Sequence, residues 1–160
     1  MTTRTRPPGT DRILLNVYRY GLRAPITVTD SVIFEGYGGR PLFANGVNGY
    51  FHLVSSGKVK FIGIDFTGIG HSIIASKGYG IWLRKCNFRN SALGAIRLYG
   101  CFEVAVWDCS FENNYSSEGG AAILASDCGF ACIFQSKFLN NHSDSFGGAV
   151  RSDHSQFMMF

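Results

Sequence analysis

Short runs of alternating apolar and polar residues recur along the chain, and each run is closed by a phenylalanine. The four clearest runs end at Phe66, Phe88, Phe111 and Phe138, which follow one another at steps of 22, 23 and 27 residues. Two other apolar positions keep the same order in every unit. One lies five residues before each phenylalanine, at Phe61, Leu83, Val106 and Ile133; the other is an Ala-Ile or Ala-Val pair at 95–96, 122–123 and 149–150. Three registers kept together predict a repeating structural unit of about 22 to 27 residues.

The alternation indicates that each unit is a coil of three short strands separated by bends. Residues two apart on a strand share a face, so Cys86 points with Phe88 and Cys109 with Phe111. Between Leu83 and Cys86 the spacing is three, which predicts a bend that leaves the two intervening residues outside. Sustained helical periodicity with caps is absent from the pattern. The sequence therefore predicts an all-β solenoid whose coils stack in parallel about 4.8 Å apart.

Stacked coils place like residues above like. We expect one interior ladder of Phe66, Phe88, Phe111 and Phe138, and a second of Ile96, Ile123 and Val150. The asparagines two residues after three of these phenylalanines, Asn90, Asn113 and Asn140, are expected at one bend, since asparagine tolerates a left-handed backbone. Their amides are predicted to form a hydrogen-bonded ladder along the axis.

Composition supports an ordered domain and limits its chemistry. Among 160 residues, 46% are hydrophobic and only 16% charged, which excludes a solvated disordered chain. The net charge of +4 is spread out rather than gathered into a stripe, so nucleic acid is not an expected partner. The sequence also holds no apolar run of the length that a membrane-spanning helix needs, and residues 1–12 lack the apolar stretch of a secretory signal.

Five cysteines are present, and free thiols are favoured because their spacing matches no structural zinc motif. By register, Cys86 stacks with Cys109, and Cys101 with Cys128. These pairs are interpreted as small inward-facing hydrophobes, with disulfides between coils as the alternative. Neither a metal site nor a cofactor is predicted.

The repeated segments 111–123 and 138–150, with their doubled asparagines followed by glycines, alanine and Ile or Val, resemble the right-handed parallel β-helix superfamily. They are similar to the repeats of chlamydial polymorphic outer-membrane proteins, and residues 24–68 look like the opening coils of such a domain. The resemblance covers roughly residues 12–160. It implies a right-handed parallel β-helix, displayed at a surface in those relatives. Activity is not implied, because this superfamily includes polysaccharide lyases, hydrolases, tailspikes, adhesins and scaffolds.

Two functions follow as hypotheses. The first is a non-catalytic structural or binding module of a larger surface protein, fibre or assembly. In this case the aromatics Tyr79, Trp82, Trp107 and Tyr115 form an outer row that binds sugar rings or a protein, the alternative being partial burial under loops. The alternative is a polysaccharide-binding or polysaccharide-cleaving β-helix, with Asp127, Arg151 and Asp153 on one outer face and Arg97 nearby. Asp65 and Asp108 are further single acids, which we interpret as solvent-facing.

The expected organisation is a flexible basic, proline-containing tail at residues 1–11 and one β-helix domain at 12–160. The sequence ends within a coil, so we expect truncation, a covering partner, or self-association through the coil ends. Asn114 and Asn141 each begin a glycosylation sequon. An extracellular or surface location is expected only if the chain is part of a longer exported protein.

Overall fold

In the computed structural model, which describes residues 11–54 and 57–160, the chain winds as a parallel β-solenoid of about six turns with three strands per coil. The described residues form strands, turns and bends, without a helix. Successive coils are offset in register by 21, 27, 22, 23, 27 and 26 residues. These offsets confirm the predicted parallel stack, and the first coil is one residue shorter than the predicted range.

Three parallel sheets form the sides of the solenoid. Sheet 1 contains β1 (Asp11–Leu15), β4 (Val32–Gly36), β7 (Lys58–Ile62), β10 (Gly80–Arg84), β13 (Glu103–Trp107), β17 (Phe130–Phe134) and β21 (Gln156–Met159). Sheet 2 contains β2 (Arg19–Leu22), β5 (Leu42–Asn45), β8 (Asp65–Gly68), β11 (Asn87–Arg89), β14 (Ser110–Glu112) and β18 (Lys137–Leu139). Sheet 3 contains β3 (Ile26–Val28), β6 (Phe51–Val54), β9 (Ile73–Ser76), β12 (Ile96–Tyr99), β16 (Ile123–Ser126) and β20 (Val150–Asp153). The short strands β15 (Tyr115–Ser116) and β19 (His142–Ser143) pair separately, on the surface excursions of the two longer coils.

A column of stacked rings runs through the core beneath sheet 2. The rings of Phe66, Phe88, Phe111 and Phe138 are stacked in nearly parallel planes, with centroids 4.8, 4.9 and 5.0 Å apart. The column continues downwards through Phe43 to Tyr20, two rungs that the sequence pattern did not single out. Because each ring is covered by the next, one coil cannot bury its apolar side alone, and the coils stabilise one another.

Each coil turns its corners with residues in the left-handed backbone region. At the corner between sheets 2 and 3 these residues are Asn90, Asn113 and Asn140, with φ values of 61°, 54° and 52°. Each of the other two corners has one glycine and three residues with side chains in this conformation. Between sheets 1 and 2 these are Gly63, Lys85, Asp108 and Gln135; between sheets 3 and 1 they are Lys77, Gly100, Asp127 and His154. A left-handed conformation costs most residues about 1–2 kcal/mol. The hydrogen bonds between stacked coils therefore offset the backbone strain of these corner residues.

The amide ladder runs one residue later than the sequence predicts. Asn90, Asn113 and Asn140 point into solvent, whereas Asn114 is buried and donates from Nδ2 to Oδ1 of Asn141 at 2.9 Å. The reason is geometric: a left-handed corner residue turns its own side chain outwards and the next one inwards. Burial of Asn114, which is 1% exposed, also removes it as a glycosylation site.

Candidate functional site

The two acids of the predicted outer-face site, Asp153 and Asp127, lie beside different basic side chains. Arg151 Nε lies 2.8 Å from Asp153 Oδ2, and His154 Nδ1 lies 3.8 Å from Asp127 Oδ1. Asp153 pairs with Ser126 in the strand register, whereas the sequence pattern predicted that it would lie level with Asp127. Asp127 is therefore a corner residue, and Asp153 lies on the outer face of sheet 3.

The remaining single acids also have structural surroundings. Asp65 accepts hydrogen bonds from Arg40 Nε at 2.7 Å and from Asn87 Nδ2 at 2.9 Å, and Arg89 lies 3.5 Å away. Asp108 is an exposed corner residue with a positive φ. Among the residues that the structure describes, no group of three His, Cys, Asp or Glu side chains is placed to hold a metal ion.

Arg97 does not lie on an open face near these acids. It projects outwards from sheet 3, but the excursion 115–120 covers it and leaves it 2% exposed. Its guanidinium donates to Gly120 O at 2.7 Å, to Ser116 Oγ at 2.6 Å and to Leu93 O at 2.9 Å. Burial lowers the pKa of Arg97 from its usual value. The sequence shows a polar strand position, and only folding shows that a loop from the next coil closes over it.

A small group of titratable side chains lies where this excursion meets the equivalent excursion of the next coil. Tyr115 donates a short hydrogen bond to Asp144, which raises the pKa of the Tyr115 hydroxyl. His142 stacks on the Tyr115 ring at 6.1 Å, and its Nε2 lies 3.4 Å from Asp144. These contacts join the excursions of two neighbouring coils at the surface.

Most exposed aromatic side chains of the later coils lie on the outer side of sheet 1 and its adjoining corner. We call this surface the aromatic face; it consists of Tyr79, Trp82, Phe102, Trp107, Phe130, Phe134, Met158 and Phe160. Six of these side chains are more than a third exposed, from 38% for Phe130 to 66% for Phe160. Single exposed apolar residues are ordinary, whereas a group of this size on one side of the solenoid is a candidate interaction surface.

The aromatic face contains two stacks. Tyr79 and Phe102 have ring centroids 5.3 Å apart and planes that differ by 18°. The second stack is Trp107, Phe134 and Phe160, at 5.3 and 5.0 Å. Phe130 begins β17 on the side of the first stack, and Phe134, which belongs to the second stack, ends it. The four-residue step between them spans about 13 Å. Phe102 and Phe130 also line a shallow depression of about 500 Å³.

Lysines border the lower end of the aromatic face. Lys60 Nζ lies 4.1 Å from the centre of a Trp82 ring, and Lys58 Nζ lies 5.5 Å from Trp82 and 5.7 Å from Tyr79. Cation–π attraction of this kind contributes about 0.5–1 kcal/mol at exposed sites. It holds the lysine stems along the rings and gives this end of the surface a positive charge.

Comparison with known proteins supports the repeat. Residues 108–126 match the model of the Chlamydia polymorphic membrane protein repeat. The match runs from the corner residue Asp108 through Phe111 and Asn114 to the end of β16. Neither the curated proteins nor the solved structures contain a significant match. The chain is thus a parallel β-helix whose repeats resemble those of chlamydial polymorphic membrane proteins.

A search of the described residues for a helix long and apolar enough to span a membrane finds none. Residues 1–10, on which most of the predicted N-terminal tail falls, lie outside the described residues. The first strand, β1, begins at Asp11, so the segment from residue 12 opens with sheet 1.

Proposed function

We propose that this chain is a non-catalytic binding module of a larger surface protein, and that it contacts a protein partner through the aromatic face. The exposed double stack of aromatic rings is the observation that carries this proposal. Aromatic side chains dominate the energetics of protein interfaces, because they bury large apolar areas at little entropic cost. The match to a surface-protein repeat supports the same class of function.

Ring orientation favours a protein over a sugar as the partner. Sugar rings stack on the flat face of an aromatic side chain. In both stacks each ring turns a face towards its neighbour, with planes 18° apart for Tyr79 and Phe102 and 34° apart along Trp107, Phe134 and Phe160, so those faces are closed to a sugar. Edges and the gaps between them suit apolar side chains of a protein.

The test is a binding panel of immobilised extracellular-matrix proteins and, separately, neutral and acidic polysaccharides. We expect the wild-type chain to bind protein, and Trp107→Glu and Phe130→Glu each to weaken that binding at least tenfold. Tyr37→Glu is the matched control, since Tyr37 is 63% exposed outside the aromatic face and its replacement leaves binding unchanged.

Two results contradict the proposal. One is binding only to polysaccharide, which supports the alternative function. The other is binding to protein that Trp107→Glu and Phe130→Glu leave intact. Release of reducing ends from a bound polysaccharide, abolished in Asp153→Asn, would indicate a cleaving enzyme. Sedimentation of the same samples tests the predicted self-association through coil ends, where Phe138, Val150 and Phe157 are only partly buried.

A further inference from the structure

Two short cysteine ladders stand at two different corners of the same coils. At the corner between sheets 1 and 2, register places Cys86, Cys109 and Ser136 one above another. At the corner between sheets 3 and 1, it places Cys101, Cys128 and Ser155 in the same way. The four cysteines are between 0% and 3% exposed, and all are reduced.

Within each ladder the two cysteines are register partners on neighbouring coils. The thiols donate to nearby backbone carbonyls, as Cys109 does to Trp107 and Cys128 to Ser126, and no thiol is bridged. Stacked strands hold successive Cα atoms about 4.8 Å apart. Disulfides span Cα separations of about 4.4–6.8 Å, so each pair can be bridged without moving the coils apart.

We propose that Cys86–Cys109 and Cys101–Cys128 are two disulfide sites, which close between successive coils when the protein meets a small-molecule disulfide such as oxidised glutathione. One thiolate attacks a sulfur of the oxidant, forming a mixed disulfide and releasing one glutathione thiolate. The partner thiol loses its proton and attacks the protein sulfur of that mixed disulfide, and the second glutathione leaves. Two protein thiols are oxidised, one oxidised glutathione is reduced, and the two thiol protons end on the two glutathione molecules.

The upper cysteine of each pair is the attacking group. Interaction with the neighbouring Cys101 thiol lowers the pKa of Cys128 to about 7, close to the value at which a thiol attacks fastest near neutral pH. Interaction with Cys86 likewise lowers the pKa of Cys109, whereas burial raises that of Cys86. Because the thiols are buried, the reaction proceeds through local opening of the coils and is slow in the folded protein.

The experiment incubates the purified chain with oxidised glutathione, both folded and during refolding. Free thiols are then alkylated in denaturant, and the disulfides are mapped by peptide mass spectrometry. We expect the two predicted peptide pairs to appear, with Cys132 in neither of them, either free or as its mixed disulfide with glutathione. The melting temperature of the oxidised form should rise by at least about 5 °C, because the bridges close loops of 23 and 27 residues.

The third rung of each ladder supplies a matched control. Cys109→Ser and Cys128→Ser each introduce the residue that the next coil already carries at that position, so folding is expected to persist. Each variant should lose one disulfide and retain the other, while Cys132→Ser should retain both. Alkylation of all five thiols after oxidation of the wild type, or disulfides that join Cys132 or cross between the ladders, would overturn the proposal.

Discussion

Arg97 is predicted to fasten the 115–120 excursion to the solenoid, and the variant Arg97→Met removes that fastening. Methionine keeps an apolar stem of similar length but cannot donate hydrogen bonds. The carbonyls of Gly120 and Leu93 and the Ser116 hydroxyl each lose a charged donor at 2.9 Å or less. The perturbation therefore tests the polar contacts of the side chain separately from its packing.

The magnitude follows from the groups left unpaired. Each buried acceptor that loses its donor costs about 1–3 kcal/mol, so the two most enclosed partners, Gly120 and Ser116, account for about 2–6 kcal/mol. Removing a buried cation returns part of this cost, because the charge no longer has to leave water. We expect a net loss of about 3 kcal/mol, which lowers the urea midpoint by about 1.5 M at an m-value of about 2 kcal/mol/M.

The assay is urea unfolding followed by circular dichroism, together with limited proteolysis of the excursion. Arg84→Met is the matched control, because Arg84 is an exposed residue at the end of β10 in sheet 1, whereas the excursion lies between sheets 2 and 3. Its loss should cost less than about 1 kcal/mol. A midpoint for Arg97→Met within about 0.3 M of the wild type, with unchanged proteolysis, would refute the argument that the buried guanidinium holds the loop.

Three further predictions concern the core, the corner and acid stability. Phe111→Ala should destabilise the protein by about 3–5 kcal/mol in urea unfolding, and Phe138→Ala by clearly less, because Phe111 is fully buried and Phe138 only partly. Asn114→Ala should cost about 2 kcal/mol through unpaired buried groups, whereas Asn113→Gly should be neutral or stabilising, since only its left-handed backbone matters. Burial lowers the pKa of His71 below 6.5, so the unfolded chain takes up a proton at this histidine at a higher pH than the folded protein does. The stability that His71 contributes is therefore present above pH 6.5 and is lost as pH falls. His71→Gln should reduce the decline in the urea midpoint between pH 7.5 and 5.5.

Contrary results are equally specific. Equal losses for the two phenylalanine variants would mean that rung position does not govern ring burial. A larger cost for Asn113→Gly than for Asn114→Ala would place the amide ladder at the corner residue after all. If the urea midpoint of His71→Gln falls between pH 7.5 and 5.5 as much as that of the wild type, other titratable groups cause the decline.

Periodicity was sufficient to predict the fold, because a solenoid repeats one local environment and each repeat reports it again. The phenylalanine column, the parallel stack and the bends after sheet 1 follow from spacing alone, since inward and outward positions alternate on a strand. The column's lower rungs were missed because Phe43 has a glycine rather than an apolar residue five positions before it, and because Tyr20 is not a phenylalanine. Their spacing of 23 residues, from Tyr20 to Phe43 and from Phe43 to Phe66, was nevertheless visible.

Tertiary structure alone decided which polar positions are surface and which are enclosed. The sequence placed Arg97 on an outer face, and it lies there, but a loop from the next coil covers it. It assigned the amide ladder to Asn113, whereas a left-handed corner turns Asn114 inwards. It marked four outward aromatics, and only the lateral stacking of coils joined three of them with Phe102, Phe130, Phe134, Met158 and Phe160 into one face. Local alternation determines the side of a strand on which a residue lies; contacts between coils determine what covers it.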